Sequence, residues 1–172
     1  DPATGKDLGP GEVGEFWVRS DQHMAGYWAK PEATAETLLP DGWLRTGDAG
    51  YRDEAGYLYI SDRVKDMIIS GGENVYPAEV ERVVSEYPGV ADVAVIGVPD
   101  DRWGEAVKAM VVAAPGATVD EAGLIDHCRS ALASYKCPKS VDLVDTLPRN
   151  PTGKVLRREL RAPYWAGRER LV

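Results

Sequence analysis

Cysteine and histidine are scarce in this sequence: Cys128 and Cys137, His23 and His127 are all there is. Their spacing fits no close metal-ligand pattern, so neither a zinc site nor a disulfide framework is indicated, and no residue is expected to bind a metal. Two unpaired thiols fit a reducing, cytoplasmic compartment. Positive charge is also in deficit, with 20 Lys+Arg against 28 Asp+Glu. A nucleic-acid or anionic-membrane surface needs a basic face, so both are argued against, and any anion must be bound locally. No apolar run approaches the roughly 20 residues that span a bilayer, and the N-terminus has no signal-peptide pattern. Internal repeats and low-complexity tracts are absent. The chain begins with Asp1 rather than Met, and turn residues follow at once (Asp1-Pro2, then Gly9-Pro10-Gly11). A piece of something longer is expected.

What is present suffices for a folded body: 44% of residues are apolar, ordinary for a globular core. The first third reads as β-rich. Val13 to Ser20 alternates like a half-buried strand, Pro31 opens a short helix to Leu38, and Trp43 to Asp48 forms a strand after the Asp41-Gly42 turn. Gly50 to Ile60 predicts a hairpin turning at Asp53-Glu54-Ala55-Gly56. The charge cluster Ser61-Asp62-Arg63-Val64-Lys65-Asp66 then breaks the pattern and is the best candidate boundary.

Beyond it strands and helices alternate. Met67 to Ile69 is a short strand leading into Ser70-Gly71-Gly72-Glu73-Asn74. Adjacent glycines either make a tight turn or let a backbone lie close to a ligand. Pro77 opens a helix with Val80, Val83 and Val84 at helical spacing. The near-continuous apolar runs Val90 to Val98 and Ala106 to Ala113 predict buried strands. Thr118-Val119-Asp120-Glu121 has capping-box spacing before a helix with Leu124, Ile125 and Leu132 on its apolar stripe. His127 and Cys128 read as filler or surface on that helix, Val141 to Val144 as a strand, and Ala162 to Trp165 as a tail packed by its aromatics. The fold class is α+β: a β-rich N-terminal segment, residues 1–61, followed by a small α/β domain, residues 62–172, with a short sheet flanked by helices.

Two residues stand out chemically. Pro148, Pro151 and Gly153 stiffen and turn the backbone, delivering Lys154 at the end of a tight loop before a helix-compatible run. It is no Walker A loop, since no glycine lies five residues before Gly153. A presented ammonium is a point charge suited to a carboxylate attacking a phosphate, or simply a solvated turn lysine. Asp48, at a strand end beside Gly47, offers two acceptor oxygens that suit ribose hydroxyls, or it satisfies its own turn.

Five stretches taken in order resemble the C-terminal portion of the adenylate-forming superfamily: acyl-CoA synthetases, luciferases and peptide-synthetase adenylation domains. They are Gly11 to Glu15 with Gly26-Tyr27; Gly42 to Asp48; Gly56 through Asp62-Arg63-Val64-Lys65-Asp66 to Glu81; Tyr135 to Pro138; and Pro148 to Arg158. The resemblance implies Lys154 as the adenylation lysine, Asp48 and Arg63 as ribose contacts of ATP, and Asp62 as the hinge of a mobile lid. It implies Gly71, Gly72 and Glu73 along the pantetheine path of CoA. The cofactors implied are ATP, CoA and a magnesium ion bound mainly by an N-terminal part; the partners are small-molecule substrates. Ser70 to Pro77 and Tyr164 to Arg168 resemble fatty-acyl-CoA ligases more than peptide-synthetase domains.

No Ser/Thr/Gly-rich loop for the ATP β and γ phosphates occurs in these residues, so the resemblance is to the last third of an enzyme, and the chain alone is expected to make no acyl-adenylate. Two alternatives stand beside the acyl-CoA ligase reading: an adenylation domain that loads a carrier protein, and a free-standing binding or regulatory lid. The family likeness also suggests Lys154 as a target of reversible acylation, which would remove its charge. Severed strand edges would invite a dimer of the fragment.

Overall fold

The computed structural model describes residues 1–2 and 4–168. The final residues of the expected lid, 169–172, lie outside the described residues. The chain divides into two compact units, Asp1–Lys65 and Asp66–Val172, so the division falls inside the Ser61–Asp66 charge cluster.

The first unit is a three-stranded antiparallel sheet in the order β1 (Gly14–Val18), β2 (Leu44–Arg52), β3 (Leu58–Arg63), with one short helix, α1 (Pro31–Thr37). The sequence predicts two separate strands across Trp43–Arg52; the structure has one, running straight through Asp48. Gly47 has φ +71 and Gly50 leaves no space for a Cβ beside the Tyr59 carbonyl and the Phe16 ring. Glycine therefore lets the strand bend and pack closely there without ending it. β3 extends through Ser61-Asp62-Arg63, so half of the charge cluster that marks the boundary is strand.

The second unit is built on the β6 (Val90–Asp100) and β7 (Gly104–Ala113) antiparallel hairpin. β4 (Ile68–Ser70) and β5 (Glu73–Val75) extend the sheet from one end of β7, and β8 (Ser140–Leu143) joins β7 in parallel. The apolar runs of β6 and β7 are continuous because both faces are covered. On one face α2 (Pro77–Ser85) and α3 (Glu121–Ala131) bury Val80, Val83, Val84, Leu124 and Cys128 against Val95, Val107 and Val111. On the other, Leu147, Val155, Leu160 and Tyr164 from the C-terminal segment pack on Ala94, Ile96, Ala106 and Met110. The α+β class expected from the sequence is the class found. Asp120 rather than Thr118 caps α3, accepting the Gly123 N–H, so the cap lies two residues after the position the capping-box reading gives it. No described helix is long and apolar enough to cross a membrane.

Candidate functional site

In the first unit Asp48 and Arg63 face each other directly across β2 and β3. The Arg63 guanidinium donates to Asp48 Oδ1 at 2.6 Å, with both side chains partly exposed. Two residues unremarked in the sequence hold this pair. Glu15, its side chain 3% exposed, accepts the Gly47 N–H, the Trp17 indole N–H and Arg45. Thr46 Oγ1 accepts the Asp48 N–H and donates to the Phe16 carbonyl. The signal for Glu15 was its place in a strand otherwise alternating apolar inward: a buried carboxylate needs partners, and here it has several. Asp62 lies within β3, opposite Ala49 in the ladder, with one carboxylate oxygen accepting the Arg63 N–H. An open groove of about 690 Å³ in this unit is lined by Trp17, Trp43, Tyr51 and Arg52 among others; Asp48 and Arg63 do not line it.

In the second unit Gly71 and Gly72, at φ +63 and +87, form the two-residue turn between β4 and β5. Successive positive φ is the requirement of the tight hairpin turn that matches strand twist. A Cβ on Gly71 would meet the Trp103 ring at 2.7 Å, whereas one on Gly72 would meet open space. The Gly71 N–H donates to the Trp103 carbonyl, and Arg102 stacks over the Trp103 indole at 4.6 Å. Trp103 thus forms a wall beside the turn, joining from the β6–β7 connection what the sequence separates by thirty residues. Glu73 opens β5 and is exposed.

Lys154 sits just past the turn of a small hairpin closed by an Arg149–Val155 bridge, in an exposed stretch with Gly153 at φ +85. Among the described residues no carboxylate is paired with its ammonium. Behind it, α4 (Arg157–Arg161) is pinned by a half-buried charge cluster. Arg157 makes a bidentate contact to Glu81, at 2.8 and 2.9 Å, and reaches Asp66, while Arg161 also pairs with Asp66. Glu81 additionally accepts the Val95 N–H on the outer edge of β6. Removing one partner of such a cluster costs about 3–5 kcal/mol, because the other charge stays desolvated.

The tail that covers the same sheet face is locked as well. The Tyr164 hydroxyl and Lys108, the latter at 2.5 Å, both donate to Asp142, and the Trp165 indole donates to the Gly97 carbonyl. Those hydrogen bonds, from Lys108 first and then Tyr164, hold the Asp142 carboxyl below the usual range. Burial, then the neighbouring Asp142, pushes the Tyr164 hydroxyl up to about 12. Burial also pushes the Cys128 thiol up to about 11 and raises Cys137, so both are inert thiols at neutral pH.

The two loops of the second unit stand at opposite ends of the β6–β7 hairpin. Arg149 ties the Lys154 hairpin to Asp92, near the start of β6, while Trp103 and Asp100 mark its far end. Eight residues of strand at about 3.3 Å each separate them by roughly 26 Å.

Residues 79–154 match the family model described as the AMP-binding enzyme C-terminal domain. A fatty acid–acyl-carrier-protein ligase of Streptomyces coeruleorubidus is 52% identical over 168 residues, which cover 98% of this chain and 32% of that protein. The long-chain-fatty-acid–CoA ligase FadD13 of Mycobacterium tuberculosis is 53% identical over 89% of this chain and 30% of its own length. The crystal structure of ATP-bound MatB from Rhodopseudomonas palustris superimposes with a TM-score of 0.88 at 46% identity, over 95% of this chain and 33% of that one. The chain spans about a third of the length of the relatives it matches. With its core motifs in order and its fold shared along nearly its whole length, the chain belongs to the adenylate-forming superfamily of AMP-binding enzymes and matches the C-terminal portion of its acyl-CoA and acyl-carrier-protein ligases.

Proposed function

We propose that the chain serves as the C-terminal part of an ATP-dependent acid–thiol ligase that converts a carboxylic acid, of the fatty-acid class, to an acyl-adenylate and then to a thioester of CoA. The observation that carries this reading is an exposed lysine, with no carboxylate paired to it among the described residues, at one end of the β6–β7 hairpin and a side-chain-free turn at the other. In the first step a carboxylate oxygen attacks the α-phosphorus of ATP and pyrophosphate leaves. Lys154 offers a fixed cation where charge gathers on the carboxylate and the α-phosphate, an effect worth roughly 3–4 kcal/mol. Asp48 Oδ2 accepts ribose hydroxyls while Oδ1 is held by Arg63. In the second step a thiolate attacks the acyl carbon and AMP leaves, with Gly71, Gly72 and Glu73 lining the route of the pantetheine arm and Trp103 walling it.

Because the two loops lie too far apart to serve together, the second unit acts as a lid that turns between steps, residues 1–65 being the tail of the larger domain. The pivot fits Lys65–Asp66 better than Asp62, since a strand residue held in a ladder cannot absorb a rotation of the backbone without losing its hydrogen bonds. Among the described residues no group of three or more His, Cys, Asp or Glu is placed to hold a metal ion, so these residues offer magnesium no all-protein cage.

The test uses the full-length enzyme with ATP, CoA and a panel of fatty and aryl acids. Lys154→Ala is expected to lower adenylate formation about 10²–10³-fold. Gly72→Trp is expected to spare adenylation and block thioester formation, with Gly72→Ala, equally strained at positive φ but without the bulk, retaining more of it. Unchanged adenylation in Lys154→Ala would sink the reading, and so would fatty-acid-dependent pyrophosphate release by residues 1–172 alone. A second reading, transfer to a carrier protein rather than free CoA, is favoured by the 52% identity to an acyl-carrier-protein ligase. Offering free CoA and a phosphopantetheinylated carrier side by side separates the two.

A further inference from the structure

We propose that Asn150 and Arg149 are the positioning residues that set the Lys154 ammonium, and that Asn150 does so through a single oxygen. Asn150 Oδ1 accepts three hydrogen bonds: from the Thr152 N–H at 3.0 Å, the Thr152 hydroxyl at 2.8 Å and the Lys154 N–H at 2.9 Å. The Asn150 main chain adds two more, its N–H donating to the Lys154 carbonyl and its carbonyl accepting the Gly153 N–H, both at 2.9 Å. Both main-chain polar groups of Lys154 are therefore satisfied by this one residue. The loop is exposed from Pro151 to Lys154, so Asn150 supplies most of the hydrogen bonds that fix its shape from within.

Arg149 does the second half of the work. One guanidinium nitrogen donates to the Gly153 carbonyl and the other to Asp92 Oδ2, each at 2.6 Å. It grips the peptide immediately before Lys154 and ties it to the start of β6, whose edge Glu81 and Arg157 fasten from the other side. The planar fork of arginine spans both acceptors at fixed geometry, which lysine cannot do. A four-carbon stem has many rotamers, so a lysine that stabilises a transition state gains from a backbone that no longer moves. Asn150 and Arg149 touch neither substrate nor reacting atoms; they act through the loop.

This inference rests on the functional reading for its kinetic consequence but not for its structural one, and the experiment keeps the two apart. Amide hydrogen exchange on this chain is the first arm. Asn150→Ala is expected to speed exchange at Thr152 and Lys154 roughly tenfold or more, the effect of losing hydrogen bonds that each hold a modest fraction of that. Asn150→Asp, which keeps an acceptor oxygen in place, is expected to restore protection. Unchanged exchange in Asn150→Ala, or equal loss in both variants, overturns the proposal.

The second arm measures both half-reactions in the full-length enzyme. Asn150→Ala and Arg149→Lys are expected to lower kcat for adenylate formation about tenfold or more with KM for ATP little changed, and to leave thioester formation from supplied acyl-adenylate within about twofold of wild type. Equal losses in the two half-reactions, or none in either, also overturn it. Should Lys154→Ala keep full adenylation, the functional reading fails while the exchange arm still decides whether Asn150 holds the loop.

Discussion

The two units are made of similar antiparallel strands and differ in what covers them. Among the described residues of 1–65 only Ala49 and Gly50 are buried as whole residues, and Val18, Trp28, Tyr57, Leu58, Tyr59 and Ile60 stand exposed. In residues 66–172 the sheet has a layer on each face, and Ile68, Val75, Val80, Val83, Val95, Val107 and Leu124 are wholly out of solvent. A strand's apolar face stabilises only when something removes it from water. The second unit therefore has a core of its own, and the first is a platform that buries little by itself. The candidate residues divide the same way: Asp48 and Arg63 lie on the platform, Lys154 and the Gly71–Gly72 turn on the self-supporting body.

The most drastic way to break this comparison is to separate its terms. Residues 66–172 alone are expected to melt in one cooperative transition followed by circular dichroism, and residues 1–65 alone to show none; a cooperative melt of the latter would overturn the contrast. Next in size, Leu124→Ala, at a site with no exposure, is expected to cost about 2–5 kcal/mol in urea unfolding. Ile60→Ser, 70% exposed, is expected to stay within about 0.5 kcal/mol. Similar losses at both positions would mean that the first unit has a core after all.

A pH series sharpens the same point. Cys128 and Tyr164 have folded-state values raised to about 11 and about 12, from 9.0 and 10.0. A raised value stabilises the fold fully below the unfolded value and ceases to do so as pH climbs through the folded one, so stability falls between about pH 9 and 12. Asp142 works in the opposite sense: its lowered value helps above 3.8 and is lost on acidification below it. All three lie in the second unit, so the excised 66–172 piece is expected to reproduce the alkaline loss of the whole chain, and Tyr164→Phe to weaken its upper part. The smallest effect belongs to the surface. Arg82→Ala breaks an exposed i,i+4 pair with Glu86 and is expected to change stability by less than about 0.5 kcal/mol in the same urea assay.

Much of the second unit was legible along the chain. The valine spacing of α2, the apolar runs of β6 and β7 and the Gly-Gly turn are local patterns, and local periodicity survives folding when both sheet faces are covered. Two readings missed for physical reasons. Trp43–Arg52 reads as two strands because glycine usually punctuates, but Gly47 and Gly50 bend one strand that continues. Thr118 reads as the cap of α3 because Thr-x-x-Glu spacing fits a capping box, but the Asp120 carboxylate takes the Gly123 N–H and the helix starts two residues later.

The sequence by itself determined the α+β class, the order of the core motifs and the turn that presents Lys154, because each depends on neighbours within a few residues. Tertiary structure alone decided that Asp48 meets Arg63, that Trp103 walls Gly71, that Asp66, Glu81 and Arg157 form one charge cluster, and that the lysine and glycine loops stand at opposite ends of one hairpin. Those facts join residues from 15 to 91 positions apart. Such pairings are set by sheet register and packing, which no local pattern encodes.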